Sequence, residues 1–227
     1  MKQSRSSYSS LPLSTDTDFA GMTFQHPRFT AVEAAFSGGS HPRLDKEVDE
    51  TVIEYMDPSQ KQRLEKALDA DFYVFPISPG EYRVISPEGE RGDDTVYDID
   101  IRYTEFTTCS CGDFFYRCDL GGDERCKHLW RTHLLIRIGV LPDSGIDPYD
   151  WLLDELIQDI RLLEALVSEY STDVVQATLD EMRDLLSTVE SCDRNAVDMV
   201  SLCRRRSTIL STSRSDARSD VPEPSTN

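Results

Sequence analysis

Lysine is nearly absent from this chain of 227 residues. Of its 24 basic residues, five are Lys (2, 46, 61, 66 and 127) and the rest are Arg, against 42 Asp and Glu. The formal net charge is −18, which excludes a long cationic tract or a globally basic surface. Long apolar runs are missing as well. No window approaches the roughly 18 consecutive apolar residues of a transmembrane helix, and the N-terminus has no apolar run of signal-peptide length. A soluble, cytoplasmic protein with no membrane contact is expected. Catalytic strings are lacking too. There is no Gly-rich phosphate loop, no G-x-S-x-G, no H-E-x-x-H, and no carboxylate pair beside a Cys or His at catalytic spacing. The expectation is a protein that is not an enzyme and takes no small-molecule substrate.

What is abundant is acid, with Arg standing in for Lys. That balance is expected of a halophilic surface that must stay hydrated in molar salt. Net charge then speaks to solubility rather than to fold or site. The acid is unevenly spread. Residues 45–101 carry six basic and 16 acidic residues, and 138–203 carry three and 15. Residues 102–137 carry six and five, an island of net +1. Arg204, Arg205 and Arg206 form a second basic group.

Length allows one or two small domains. Residues 1–44 are rich in Ser, Thr, Gly and Pro without periodicity, so a disordered arm is expected. Residues 45–142 form the first unit. Ser59 is the expected N-cap of a short surface helix with Leu64 and Leu68 on one face. Period-two patterning follows at 71–77, 81–85 and 95–106, separated by Ser78-Pro79-Gly80 and Pro87-Glu88-Gly89. This predicts a three-stranded antiparallel meander over about 72–108. In its third strand Tyr97, Ile99, Ile101 and Tyr103 share one face. Residues 123–138 predict a helix ended by Gly139.

The second unit, 147–206, is α-helical. Asp147-Pro148 supplies an N-cap and a first-turn proline. Leu153, Ile157, Ile160, Leu163 (or Leu162), Val167 and Tyr170 form one stripe, and Val175, Leu179, Met182, Leu186 and Val189 another. Two such helices make an αα-hairpin. A short third helix is expected over about 194–206, and a disordered tail over 207–227.

Chemistry concentrates in one string. Cys109-Ser-Cys111 is followed by fourteen residues and then Cys126-Lys-His128. Two closely spaced pairs of soft ligands, joined by a loop, suit a tetrahedral Zn²⁺ site. Six cysteines in a cytosolic chain favour metal ligation or buried thiols over disulfides. Three thiolates and a neutral imidazole leave the centre at −1, which Arg117, Arg125 and Lys127 can offset. Four protein ligands leave no open position, so the zinc is expected to be structural. Cys118 is read as an incidental thiol, Cys192 and Cys203 as core thiols, and His133 as a packed or surface histidine. His26 and His41 carry no argument.

Cys109, Cys111, Cys126 and His128 fit the C-x-C-x(n)-C-x-H signature, and the chain resembles SWIM-type zinc finger proteins over about 70–142. DFYVFPISPGEYRVIS resembles the family's leading hairpin, and TVYDIDIRYTEFTTCSC the strand that delivers the first pair. Arg131 departs from the small residue that many members carry three places after the His. The resemblance implies an α+β fold: a small antiparallel meander and a helix clipped by one zinc, followed here by the α-helical hairpin. It also implies nucleic-acid or protein binding. Arg117, Arg125, Lys127 and Arg131 are the candidate DNA contacts, Arg suiting phosphate and guanine. Trp130, Phe114, Phe115 and Tyr116 are read as core residues before stacking ones. The alternative is a zinc-stabilised protein-interaction adaptor that uses the hairpin face.

Overall fold

The computed structural model describes Phe29 and residues 56–68, 72–86, 95–103, 107–118, 125–170 and 173–219. The rest of the 1–44 arm, with His26 and His41, lies outside these residues. The described elements, in chain order, are α1 (Pro58–Leu68), β1 (Tyr73–Ser78), β2 (Glu81–Ser86), β3 (Thr95–Asp100), β4 (Thr108–Cys109), α2 (Gly112–Arg117), α3 (Lys127–Arg137), α4 (Pro148–Tyr170), α5 (Asp173–Ser191) and α6 (Met199–Ser219). The architecture is mixed α and β, with one antiparallel sheet in the order β1-β2-β3-β4. No described helix is long and apolar enough to cross a membrane.

The sheet is covered on both faces at its β1 end. Directly paired residues share a face, so the pairs Val74–Val84, Val84–Tyr97, Tyr82–Ile99 and Ile99–Cys109 place one set together. This face carries the ring of Phe72 and meets α3, because His128 packs edge-on to Phe72 and stacks on Tyr97. The opposite face holds Tyr73, Phe75 and Ile85. The Arg204 guanidinium of α6 sits 5.5 Å over the Phe75 ring. Burial from both sides explains why 72–76 reads as a nearly unbroken apolar run. Toward β3 the second face opens, and Val96 is exposed.

The expected third strand, 95–106, stops at Asp100. The backbone N–H and the guanidinium of Arg102 both donate to the Asp100 carboxylate, which folds the chain into a turn. The Ile101 N–H is taken by the Gly80 carbonyl. The chain then returns as β4, a fourth strand that the pattern does not announce. Residues 104–106 lie outside the described residues.

Helix ends follow local chemistry. At α1 the cap is Asp57, whose Oδ1 accepts the Ser59 N–H at 2.8 Å, and Pro58 takes the first helical position. Ser59 is therefore not the N-cap. Nor is α1 a surface helix throughout: Gln60, Leu64 and Ala67 are buried, and it packs on α3. Gly139, at φ +75°, closes α3 in a Schellman motif, with Gly139 N–H to Ile136 O and Val140 N–H to Leu135 O. At α4, Asp147 Oδ1 accepts the Tyr149 N–H at 2.9 Å, as expected of the Asp-Pro start.

The helical region shares its core with the sheet, in one continuous cluster that runs from Leu64 to Leu210 and includes Phe29 of the arm. The hairpin of α4 and α5 forms, but the buried face of α4 is Leu152, Leu156, Asp159, Ile160 and Leu163, with Leu153 and Ile157 only partly buried. The expected stripe is turned because α4 packs against α5, α6 and β1 together. The third helix is longer than expected and starts later, at Met199. Ile209 and Leu210, in the segment expected to be a disordered tail, are buried.

Arginines tie these helices together. Arg206 is fully buried and donates to Asp159 Oδ2 at 2.7 Å and Glu155 Oε2 at 2.8 Å, both on α4. Burial opposes its charge, and the two carboxylates outweigh that and raise its pKa. Arg205 reaches Asp184 of α5, and Arg183 reaches Glu164 of α4. Of the Arg204–Arg206 group, Arg206 is thus an internal clamp, whereas Arg204 and Arg205 stay exposed. Arg206→Met leaves two carboxylates facing an apolar core and should cost about 3–5 kcal/mol in urea unfolding. Adding Asp159→Asn and Glu155→Gln should recover most of that loss.

Candidate metal centre

Two chain segments converge on the inner face of the sheet. The first is pinned by β3: the Ser110 N–H donates to Asp98 O at 3.0 Å, and the Asp98 N–H donates to Ser110 Oγ at 2.9 Å. With Cys109 paired to Ile99, Ser110 held at the strand edge leaves Cys109 and Cys111 flanking it on the core side. The second segment opens α3, where Cys126 is the N-cap residue and His128 lies in the first turn.

All four side chains are buried, and their ligand atoms lie within 4.8 Å of one another. Cys109 Sγ is 3.8 Å from His128 Nδ1. A tetrahedron with metal–sulfur bonds of about 2.3 Å has edges of roughly 3.8 Å. Cys109, Cys111, Cys126 and His128 lie together and can hold one metal ion. The electrostatics point the same way. Hydrogen bonds from Cys109, and then from Cys126, hold the Cys111 thiol far below its usual range, while the bond to Cys111 pushes Cys109 far above. Cys126 is drawn down by Cys109, but its bond to Cys111 and its burial prevail and push it up to about 12. Three sulfurs this close cannot all ionise unless a cation joins them.

The same residues shape the helices. Cys111 Sγ accepts the Phe114 N–H at 3.3 Å and so caps α2, a short helix inside the loop between the ligand pairs. The sequence gives no periodic signal for so short a helix. Cys126, whose carbonyl accepts the Trp130 N–H, starts α3 at Lys127, four residues later than the pattern suggests. Gln60 of α1 braces this start, its Oε1 accepting from Arg125 N–H and Trp130 Nε1.

Other candidates are redistributed. Arg131 is fully buried, and its guanidinium donates to the carbonyls of Ala67 and Leu68 at 3.2 Å. It fastens α3 to the end of α1 and cannot contact DNA. Its position was readable, since Arg131 falls on the same helical face as His128 and Leu135. Arg117 is exposed, and its guanidinium is 3.9 Å from Asp113. Arg125 lies over Trp130 and Lys127 over Phe72, each partly buried. Phe114 joins the core as expected, whereas Phe115 and Tyr116 are 78% and 81% exposed. Cys118 is buried outside the four-residue group, Cys203 is a core thiol, and Cys192 is only partly buried.

No protein-family model matches this chain, and neither does any curated protein or solved structure.

Native mass spectrometry should find one metal ion per chain. Cys111→Ser and Cys126→Ser should lose it, and Cys118→Ser should keep it. Removal by a chelator should melt α2 and the start of α3, because structural zinc contributes on the order of 10–16 kcal/mol in finger peptides. His133, also on α3, is held down to about 4, mainly by burial and then by Arg125, so it stays neutral in the fold. The unfolded chain protonates it below its ordinary 6.5, and stability should therefore fall as pH drops from 6.5 toward 4. His133→Leu should flatten that fall in pH-dependent urea melts while retaining the metal.

Proposed function

We propose that the four donors hold one structural Zn²⁺ and that the module so stabilised binds nucleic acid without catalysing a reaction. Three sulfurs and one imidazole favour zinc over hard oxygen-seeking cations. Four protein donors complete a tetrahedral shell and leave no place for a substrate, which supports a structural ion in a SWIM-like finger. Reduced thiols suit the cytoplasm.

The observation that carries the nucleic-acid reading is where the scarce lysines gather. Three of the five, Lys61, Lys66 and Lys127, lie on α1 and α3, the helix pair beside the centre. Lys61 and Lys66 are exposed. By sequence α1 belongs to the acidic 45–101 stretch, and folding ties it to Arg125 through Gln60 and to α2 through the Arg63–Asp113 pair. The loss of Arg131 is thereby offset from another element. The adaptor alternative relied on the hairpin stripe, and that face is taken up against α6 and β1.

Fluorescence anisotropy of labelled DNA with the zinc-loaded full chain tests this reading. Lys61→Ala with Lys66→Ala should weaken binding and reduce the slope of log K against log salt by about 0.7–0.9 for each lysine that contacts a phosphate. Absence of binding to any DNA by the metal-loaded chain would refute it and favour a protein partner.

A further inference from the structure

The most exposed aromatic residues of the described chain are adjacent. Phe115 and Tyr116 stand on α2 at 78% and 81% exposure, their rings 5.0 Å apart and nearly perpendicular. The folded chain gives neither ring a core role, although Phe114 beside them is buried. Large exposed rings of this kind mark interaction sites.

The rings sit on a fixed mount. Cys111 caps the helix that bears them, and Phe114 anchors it in the core. Arg63 of α1 reaches Asp113 of α2 at 3.2 Å and ties the mount to the lysine-bearing helix. The Tyr116 ring lies against Gly112 one turn back, 3.9 Å from where a Cβ would stand. Lys66 lies one turn along α1 from Arg63, and Arg117 follows the rings directly. The two rings thus have Arg117 beside them in sequence and a support tied to the helix that carries Lys66.

We infer that Phe115 and Tyr116 form a stacking platform for unpaired bases, so that the ligand is a single-stranded nucleic acid whose phosphates run toward Arg117 and Lys66. The inference rests on the nucleic-acid reading above. Bases in a duplex are already stacked on each other and offer no free face, so a ring platform selects single strands. α2 is only about 9 Å long, too short to serve as a major-groove reading helix. Stacking also suits this composition. With few cations, phosphate contacts are few, and ring contacts do not depend on counterion release.

The test compares an oligothymidylate of about 15 nucleotides with a random duplex of similar length, using the zinc-loaded full chain at low and at molar salt. The chain should bind the single strand more tightly, and its advantage should persist at high salt. Phe115→Ala and Tyr116→Ala should each weaken single-strand binding roughly fivefold to hundredfold, by a similar factor at both salts, with zinc content and helical circular dichroism unchanged. Tyr116→Phe should bind like the parent. Duplex preference, or full single-strand affinity in the Phe115→Ala/Tyr116→Ala variant, overturns the platform and leaves the nucleic-acid reading standing. Binding to neither probe overturns both.

Discussion

Three thiols and an imidazole brought within bonding range of one point are the constraint on which the rest depends. Without a cation the sulfurs must share protons, and Cys111 alone is favoured as the thiolate. With a cation all three can ionise, and binding free energy becomes folding free energy. The donors are also structural joints: Cys109 is in β4, Cys111 caps α2, and Cys126 and His128 begin α3. The four donors therefore sit where a strand, a short helix and the helix that packs against the sheet meet.

A second set of constraints is ionic and lies away from the centre. In an acid-rich chain, several arginines hold helices together. Arg131 closes the end of α1, Arg206 locks α6 to α4, and Arg205 and Arg183 bridge neighbouring helices. The planar, five-donor guanidinium serves carbonyls and paired carboxylates in ways that an ammonium does not. This gives the Arg-for-Lys substitution a structural reading beside the solvent one. Among the described residues, Lys61 and Lys66 are exposed and Lys127 is partly buried, all three on the helix pair beside the candidate metal centre.

Legibility in the sequence followed the range of the interaction. Gly139, Asp147-Pro148 and the four metal donors were readable because caps and close-spaced ligand pairs are local. The alternation of Tyr97, Ile99 and Ile101 was readable, but not the point where the strand ends, since the Asp100–Arg102 turn competes with an equally extended continuation. The buried face of α4 was misjudged because its packing against three neighbours turns the stripe. Ile209 and Leu210 sit in a polar segment whose local composition suggests a tail, and only the adjoining core makes them helical and buried.

The sequence by itself determined the two close-spaced pairs of candidate metal donors, the β-then-α order and the uneven spread of charge. Each depends on residue type and short spacing. Only the tertiary structure decided which charged and aromatic groups face the solvent. Arg131 and Arg206 turn inward because carbonyls and carboxylates distant in sequence meet them there. Phe115 and Tyr116 remain outside because Cys111 and Phe114 already anchor their short helix. Surface composition is set by what packs against what, and that follows from contacts between segments the local pattern cannot see.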